Sequence, residues 1–128
     1  MTDETNIPPA PGAAIVKAAA KTFTVADADG RTIVYRNLGI LDQARILKAV
    51  GSANASNIPY VGLARIACSV VSIDDIPAPP LATKDSEVEG AISRLGDEGF
   101  IAVSNDLNKR AEDEAARAKE IADAAKNS

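Results

Sequence analysis

Acids supply most of the residues that could do chemistry in this chain. Asp27-Ala-Asp-Gly30 spaces two carboxylates as the opening of a calcium loop does, Asp74-Asp75 sets two side by side, and Arg94-Leu-Gly-Asp-Glu-Gly-Phe100 holds two more between glycines. A calcium loop of the EF-hand kind also needs a glycine at its sixth position and a closing Glu, and neither follows Asp27 at that spacing. Adjacent carboxylates in an extended chain point to opposite faces, whereas acid–base catalysis needs two held across one substrate. A phosphate loop needs Lys and Ser or Thr after its glycines; Asp97 and Glu98 would repel the anion. Cys68 is the only thiol, and the chain has no His. That excludes Ser–His and Cys–His nucleophilic pairs, zinc sites built from Cys and His, and intrachain disulfides. No catalytic, cofactor-binding or metal-binding residue is assigned, and a non-enzymatic role is expected.

The elements that position these residues are read from periodicity. Thr22 to Arg36 alternates on either side of Asp29-Gly30, with Phe23 and Val25 on one arm and Ile33 and Tyr35 on the other, which predicts a β-hairpin over 22–36. Ile40 to Val50 predicts an amphipathic helix, with Ile40, Ala44, Ile46, Leu47 and Val50 on its apolar side and Gly51 as its stop. A second helix is expected over 59–72, with Pro59 in its first turn and polar residues confined to Gly62, Arg65, Ser69 and Ser72; a helix so apolar is central, and Cys68 falls in its buried arc. The prolines from Pro77 to Pro80 end it, after a turn at Asp74-Asp75. Thr83 is the expected cap of a third helix over 84–95, which carries Val88, Ala91, Ile92 and Leu95. Gly96 then makes a corner, and a fourth helix over 98–122 resumes with Phe100, Val103 and Leu107.

The expected class is therefore α+β and mainly α-helical. Three segments are distinguished: a flexible lead over 1–21 with Pro8, Pro9 and Pro11 and a short helix over 13–20; a hairpin-plus-helix core over 22–107; and a charged helical extension over 108–128. In that extension Ala111, Ala115, Ala118, Ala122 and Ala125 keep a four-three spacing, a thin seam beside a single large apolar residue, Ile121.

At 128 residues the chain fits one domain. Its apolar residues are nearly all aliphatic, with two Phe, two Tyr and no Trp. At roughly 25 cal/mol per Å² such a core stabilises weakly, so a homo-oligomer or a partner that covers more surface is expected. A net charge of −4 without a dense basic block disfavours nucleic acid as a partner. The acidic start MTDETNIPPAPG differs from a secretory leader, and no apolar run approaches the roughly 20 residues of a membrane span, which predicts a soluble, cytoplasmic protein.

Five stretches, taken in order, carry a family resemblance: Gly30-Arg-Thr-Ile-Val-Tyr-Arg-Asn-Leu-Gly39, Leu41-Asp-Gln-Ala-Arg-Ile-Leu-Lys-Ala-Val-Gly51, Asn57-Ile-Pro-Tyr60, Ile73-Asp-Asp-Ile-Pro77 and Arg94-Leu-Gly-Asp-Glu-Gly99. Over residues 22–107 the chain resembles the tail assembly chaperones of long-tailed bacteriophages and prophages. The resemblance implies a non-structural protein of the host cell cytoplasm that binds the tape measure protein and helps recruit tail tube subunits. Many members of that family also occur in a longer form made by ribosomal frameshifting. It implies no catalytic residue and no cofactor. Contact with a client is expected on the apolar faces around Ile46, Val50, Leu63 and Ile66, which could equally fill the domain's own core. The competing readings are a structural component of the virion tail and a small DNA-binding regulator, the latter opposed by Asp85, Glu87 and Glu89 on the third helix. If Arg94 to Phe100 is a helix corner, Gly96→Val will lower the urea midpoint of unfolding clearly, while Glu98→Gln will leave it nearly unchanged.

Overall fold

A computed structural model describes residues 21–127. The lead over 1–21, apart from Lys21, and the short helix expected over 13–20 lie outside the described residues, as does Ser128. Strands β1 (Thr22–Ala26) and β2 (Thr32–Arg36) form the expected hairpin. Helices α1 (Ile40–Val50) and α2 (Ile58–Cys68) follow, then strands β3 (Val70–Ile73) and β4 (Ile76–Pro77), and finally α3 (Asp85–Lys126). The four strands make one antiparallel sheet in the order β1-β2-β3-β4. The architecture is α+β.

Two expectations about the helices are corrected. The second helix ends at Cys68 rather than Ser72, because Ser69 breaks it and Val70–Ile73 pairs with β2. The Ser69 hydroxyl donates to the Ile66 carbonyl at 2.6 Å, and the Arg36 N–H donates to the Ser69 carbonyl at 2.9 Å, so one residue caps the helix and starts the strand. The third and fourth helices are two arms of the single element α3, broken at Gly96, whose φ of 71° and ψ of 178° are accessible essentially to glycine alone.

Local chemistry accounts for most of the boundaries. Asn57 accepts from the Tyr60 N–H at 3.2 Å, and Pro59 sits in the first turn of α2. Gly51 closes α1 with φ 86°. The expected Thr83 cap works in reverse: the Thr83 N–H (2.8 Å) and hydroxyl (3.1 Å) donate to the Glu87 carboxylate, and these contacts hold Glu87 below the usual carboxylate range. In the β1–β2 loop only Gly30 of the expected Asp29-Gly30 pair takes a positive φ, of 84°. Two successive positive φ values, 51° and 66°, occur instead at Asp74 and Asp75, which turn β3 into β4. Asp74 earns that conformation through two bonds to Thr32: its carboxylate accepts from the Thr32 N–H and its own N–H donates to the Thr32 carbonyl, both at 2.8 Å.

Two apolar clusters fill the interior. One joins Ile46, Ala49 and Val50 of α1 to Val61 and Ala64 of α2, and to Ala82 and Val88. The other sets Ile33 and Tyr35 of β2 against Ala67, Leu95 and Val103, with Phe23, Ile66, Phe100 and Leu107 around them. Ile92 packs against both. As expected, α2 is central, in contact with α1 and α3.

The break in α3 is held by the hairpin loop. Arg31 donates through Nη1 to the Arg94 carbonyl at 3.0 Å and through Nη2 to the Leu95 carbonyl, two of the carbonyls that the break strips of helical partners. Its Nε is fixed on the Asp27 carboxylate at 2.7 Å, and that carboxylate also accepts the Asp29 and Arg31 backbone N–H groups at 3.0 and 2.9 Å. Gly99 makes room for this contact: a Cβ there would lie 2.7 Å from Leu95 Cδ1 and 2.9 Å from Arg31 Nη2. Neither neighbour can move cheaply, since Leu95 is buried and the guanidinium is tied at all three nitrogens. Gly99→Ala is expected to cost about 1–3 kcal/mol of unfolding free energy, read from urea denaturation, although alanine is the better helix former.

Candidate functional site

Two surfaces gather accessible apolar side chains into a patch. The first is a groove between the first arm of α3, the β3–β4 hairpin and the strap from Ala78 to Thr83. It comprises adjoining cavities of about 710 and 310 Å³ that share Ala67, Val70, Ala78, Ala91 and Arg94. Its floor is aliphatic because β3 presents Val70, and because Ala91 and Gly90 keep that face of α3 low. Arg94 and Arg36 stand at its walls. Arg36 is engaged by Asp42 at 2.8 Å, whereas Arg94 enters none of the ion pairs among the described residues.

Cys68 lines the larger cavity and is half-buried, so it belongs to a groove wall rather than to the closed interior. Burial pushes its thiol up, against the opposing influence of the Ala82 N–H and the Arg94 charge. A thiol in that state is a poor nucleophile. Glu87, the acid on the same wall, is occupied by Thr83. The groove therefore suits a bound apolar segment better than a reaction.

The second surface is the outward side of α1. Of the five residues expected on its apolar side, Ile46 and Val50 are buried with Ala49, while Ile40, Ala44 and Leu47 face outward. The difference is one of rotation. Ile46, Ala49 and Val50 point at α2, which leaves the adjacent stripe uncovered.

The four residues chosen as client contacts consequently separate. Ile46 (0% exposed) and Val50 (2%) are core and cannot touch a client without unfolding. Leu63 and Ile66 are half-buried, and Ile66 packs against the cluster under the sheet. The accessible aliphatics of α1 are instead their neighbours in sequence, Ile40, Leu41 and Leu47. Periodicity marks both stripes of α1 as apolar, so it carries no signal that distinguishes the covered one.

The acids weighed as chemistry are all engaged or solvated. Asp27 is turned inward on Arg31, and Asp74 completes the strand ladder. Asp75, Asp97 and Asp29 are exposed. Among the described residues no group of three or more His, Cys, Asp or Glu gathers as a metal site would, and no helix is long and apolar enough to cross a membrane. No protein-family model, characterised protein or solved structure matches the chain. Cys68 should react with a chromogenic disulfide at pH 8 more slowly than a free small thiol, with the difference abolished in denaturant; a rate equal to the free thiol would contradict the burial that raises its thiol.

Proposed function

We propose that this protein is a non-catalytic assembly chaperone of a long-tailed bacteriophage or prophage, which holds the tape measure protein and assists recruitment of tail tube subunits in the host cytoplasm. The observation that carries the reading is the quantity of large aliphatic surface left outside on so small a body: Ile40, Leu41, Leu47, Ile58, Ile76, Ile101 and Ile121 are all exposed. A protein whose work is to shield an elongated apolar client needs such surface, reversible contacts and no reactive centre.

The stretches that carry the family resemblance support the reading in a second way. They fall on β2 and its exit, on α1, on the capped start of α2, on the β3–β4 turn and on the break in α3. Three of the five mark turning points of the backbone and the other two a strand and a helix, so the reading takes from the resemblance the course of the chain. A client surface is free to differ around it.

Co-expression supplies the test. The tape measure protein encoded beside this chain should shift from the insoluble to the soluble fraction when the two are made together, and should co-purify with it. Unchanged solubility would defeat the reading, and recovery of this chain at high copy from purified virions would replace it with a structural role.

A further inference from the structure

We propose that the outward face of α1 is a docking surface for an acidic amphipathic helix of another protein. Ile40, Ala44 and Leu47 follow one another at i, i+4 and i+7, so their side chains form a single ridge about 10 Å long, parallel to the helix axis. Leu41 lies beside it. Ile40 is 84% exposed, Leu41 59% and Leu47 37%, values that leave most of the ridge in water. Ala44 makes a notch between its two large neighbours, and a notch of that kind accepts one side chain of a helix packed ridge into groove.

Charge selects the occupant. The acid of α1, Asp42, is turned to Arg36 at 2.8 Å. The charged residues left on the outward arc are Arg45 and Lys48, both exposed, and neither enters an ion pair or side-chain hydrogen bond among the described residues. On a chain of net charge −4 this face is a local cationic exception. A helix that lays an apolar stripe on Ile40, Ala44 and Leu47 carries one of its flanks past Lys48, about 70° round α1 from the ridge, with Arg45 about 60° further on the same side; carboxylates on that flank are attracted and ammonium groups repelled. A second copy of the same face would set Arg45 and Lys48 against themselves, which disfavours self-pairing here. This recognition depends on the α1 face alone and not on the tail-assembly reading, so either can fail without the other.

The test titrates the full chain against two fluorescent synthetic peptides about three heptads long, with Leu at every a and d position and either Glu or Lys at every e and g position. The Glu peptide should bind at least about tenfold more tightly than the Lys peptide. Ile40→Ser should weaken the Glu peptide about tenfold with the circular dichroism spectrum and melting midpoint unchanged, because its side chain is 84% exposed, and Leu47→Ser should weaken it as much with the spectrum retained and a small fall in the midpoint, because that side chain is 37% exposed. The double variant Arg45→Glu, Lys48→Glu should invert the order of the two peptides. Equal binding of both peptides, or binding untouched by these substitutions, would overturn the proposal. So would a concentration-dependent dimer abolished by Leu47→Ser, which gives the face to a second copy, or nuclear Overhauser contacts from the Ile40 and Leu47 methyls to residues 1–20 of the same chain.

Discussion

The Arg31 guanidinium bridges two structures that would otherwise be unrelated, a hairpin loop and a helix break 63 residues away. One side of it meets the Asp27 carboxylate and the other meets the carbonyls released where α3 stops being helical. Burial by itself would raise the Asp27 pKa. The Arg31 N–H and guanidinium, with the Asp29 N–H, outweigh it and hold the carboxyl below its ordinary value. The stabilisation is therefore complete above the unfolded carboxylate range and is lost as pH falls through the lower folded value. The first arm of α3 serves both clusters, Val88 beside α1 and α2 and Leu95 beneath the sheet, and beyond the break the second arm adds Val103 to the cluster beneath the sheet.

A second junction fixes the far arm. The Tyr35 hydroxyl, rising from the buried face of β2, donates to Asp106, and Arg110 donates through Nε to that carboxylate at 2.9 Å and to the hydroxyl oxygen at 3.2 Å. The Arg110 guanidinium lies 3.9 Å from the centre of the Phe23 ring, which in turn tilts against Tyr35 at 5.4 Å between centroids. Burial, then the Asp106 hydrogen bond, pushes the Tyr35 pKa up to about 12. Beyond Arg110 the helix leaves the body, and residues 111–127 are exposed on every side.

A body held by such polar junctions can leave aliphatic surface open without losing its shape. Two tyrosine–carboxylate contacts, Tyr35 with Asp106 and Tyr60 with Asp85 at 2.7 Å, join β2 to α3 and α2 to α3 where an aromatic-poor core has little area to bury. The groove and the α1 ridge then stay open to solvent. Both place aliphatic side chains beside cations, Arg94 in the groove and Arg45 and Lys48 on α1, that enter no ion pair among the described residues.

Much of the backbone course was legible from local chemistry. The hairpin over 22–36, the limits of α1 at Ile40 and Val50, the Pro59 start of α2 and the break at Gly96 each rest on a residue whose own φ preference or capping group acts within a few positions. What failed was decided at a distance. Val70–Ile73 continues an apolar helical pattern, yet becomes a strand because β2 offers it an open edge. Gly99 reads as half of a corner, but its small size matters because Arg31 arrives there from the hairpin. Ile46 and Ile40 lie on two stripes of α1 that are equally apolar in the sequence, until α2 covers one and leaves the other in water. A sequence encodes which faces are apolar; which of them become interior depends on contacts between segments far apart in the chain, and these exist only once the tertiary structure has formed.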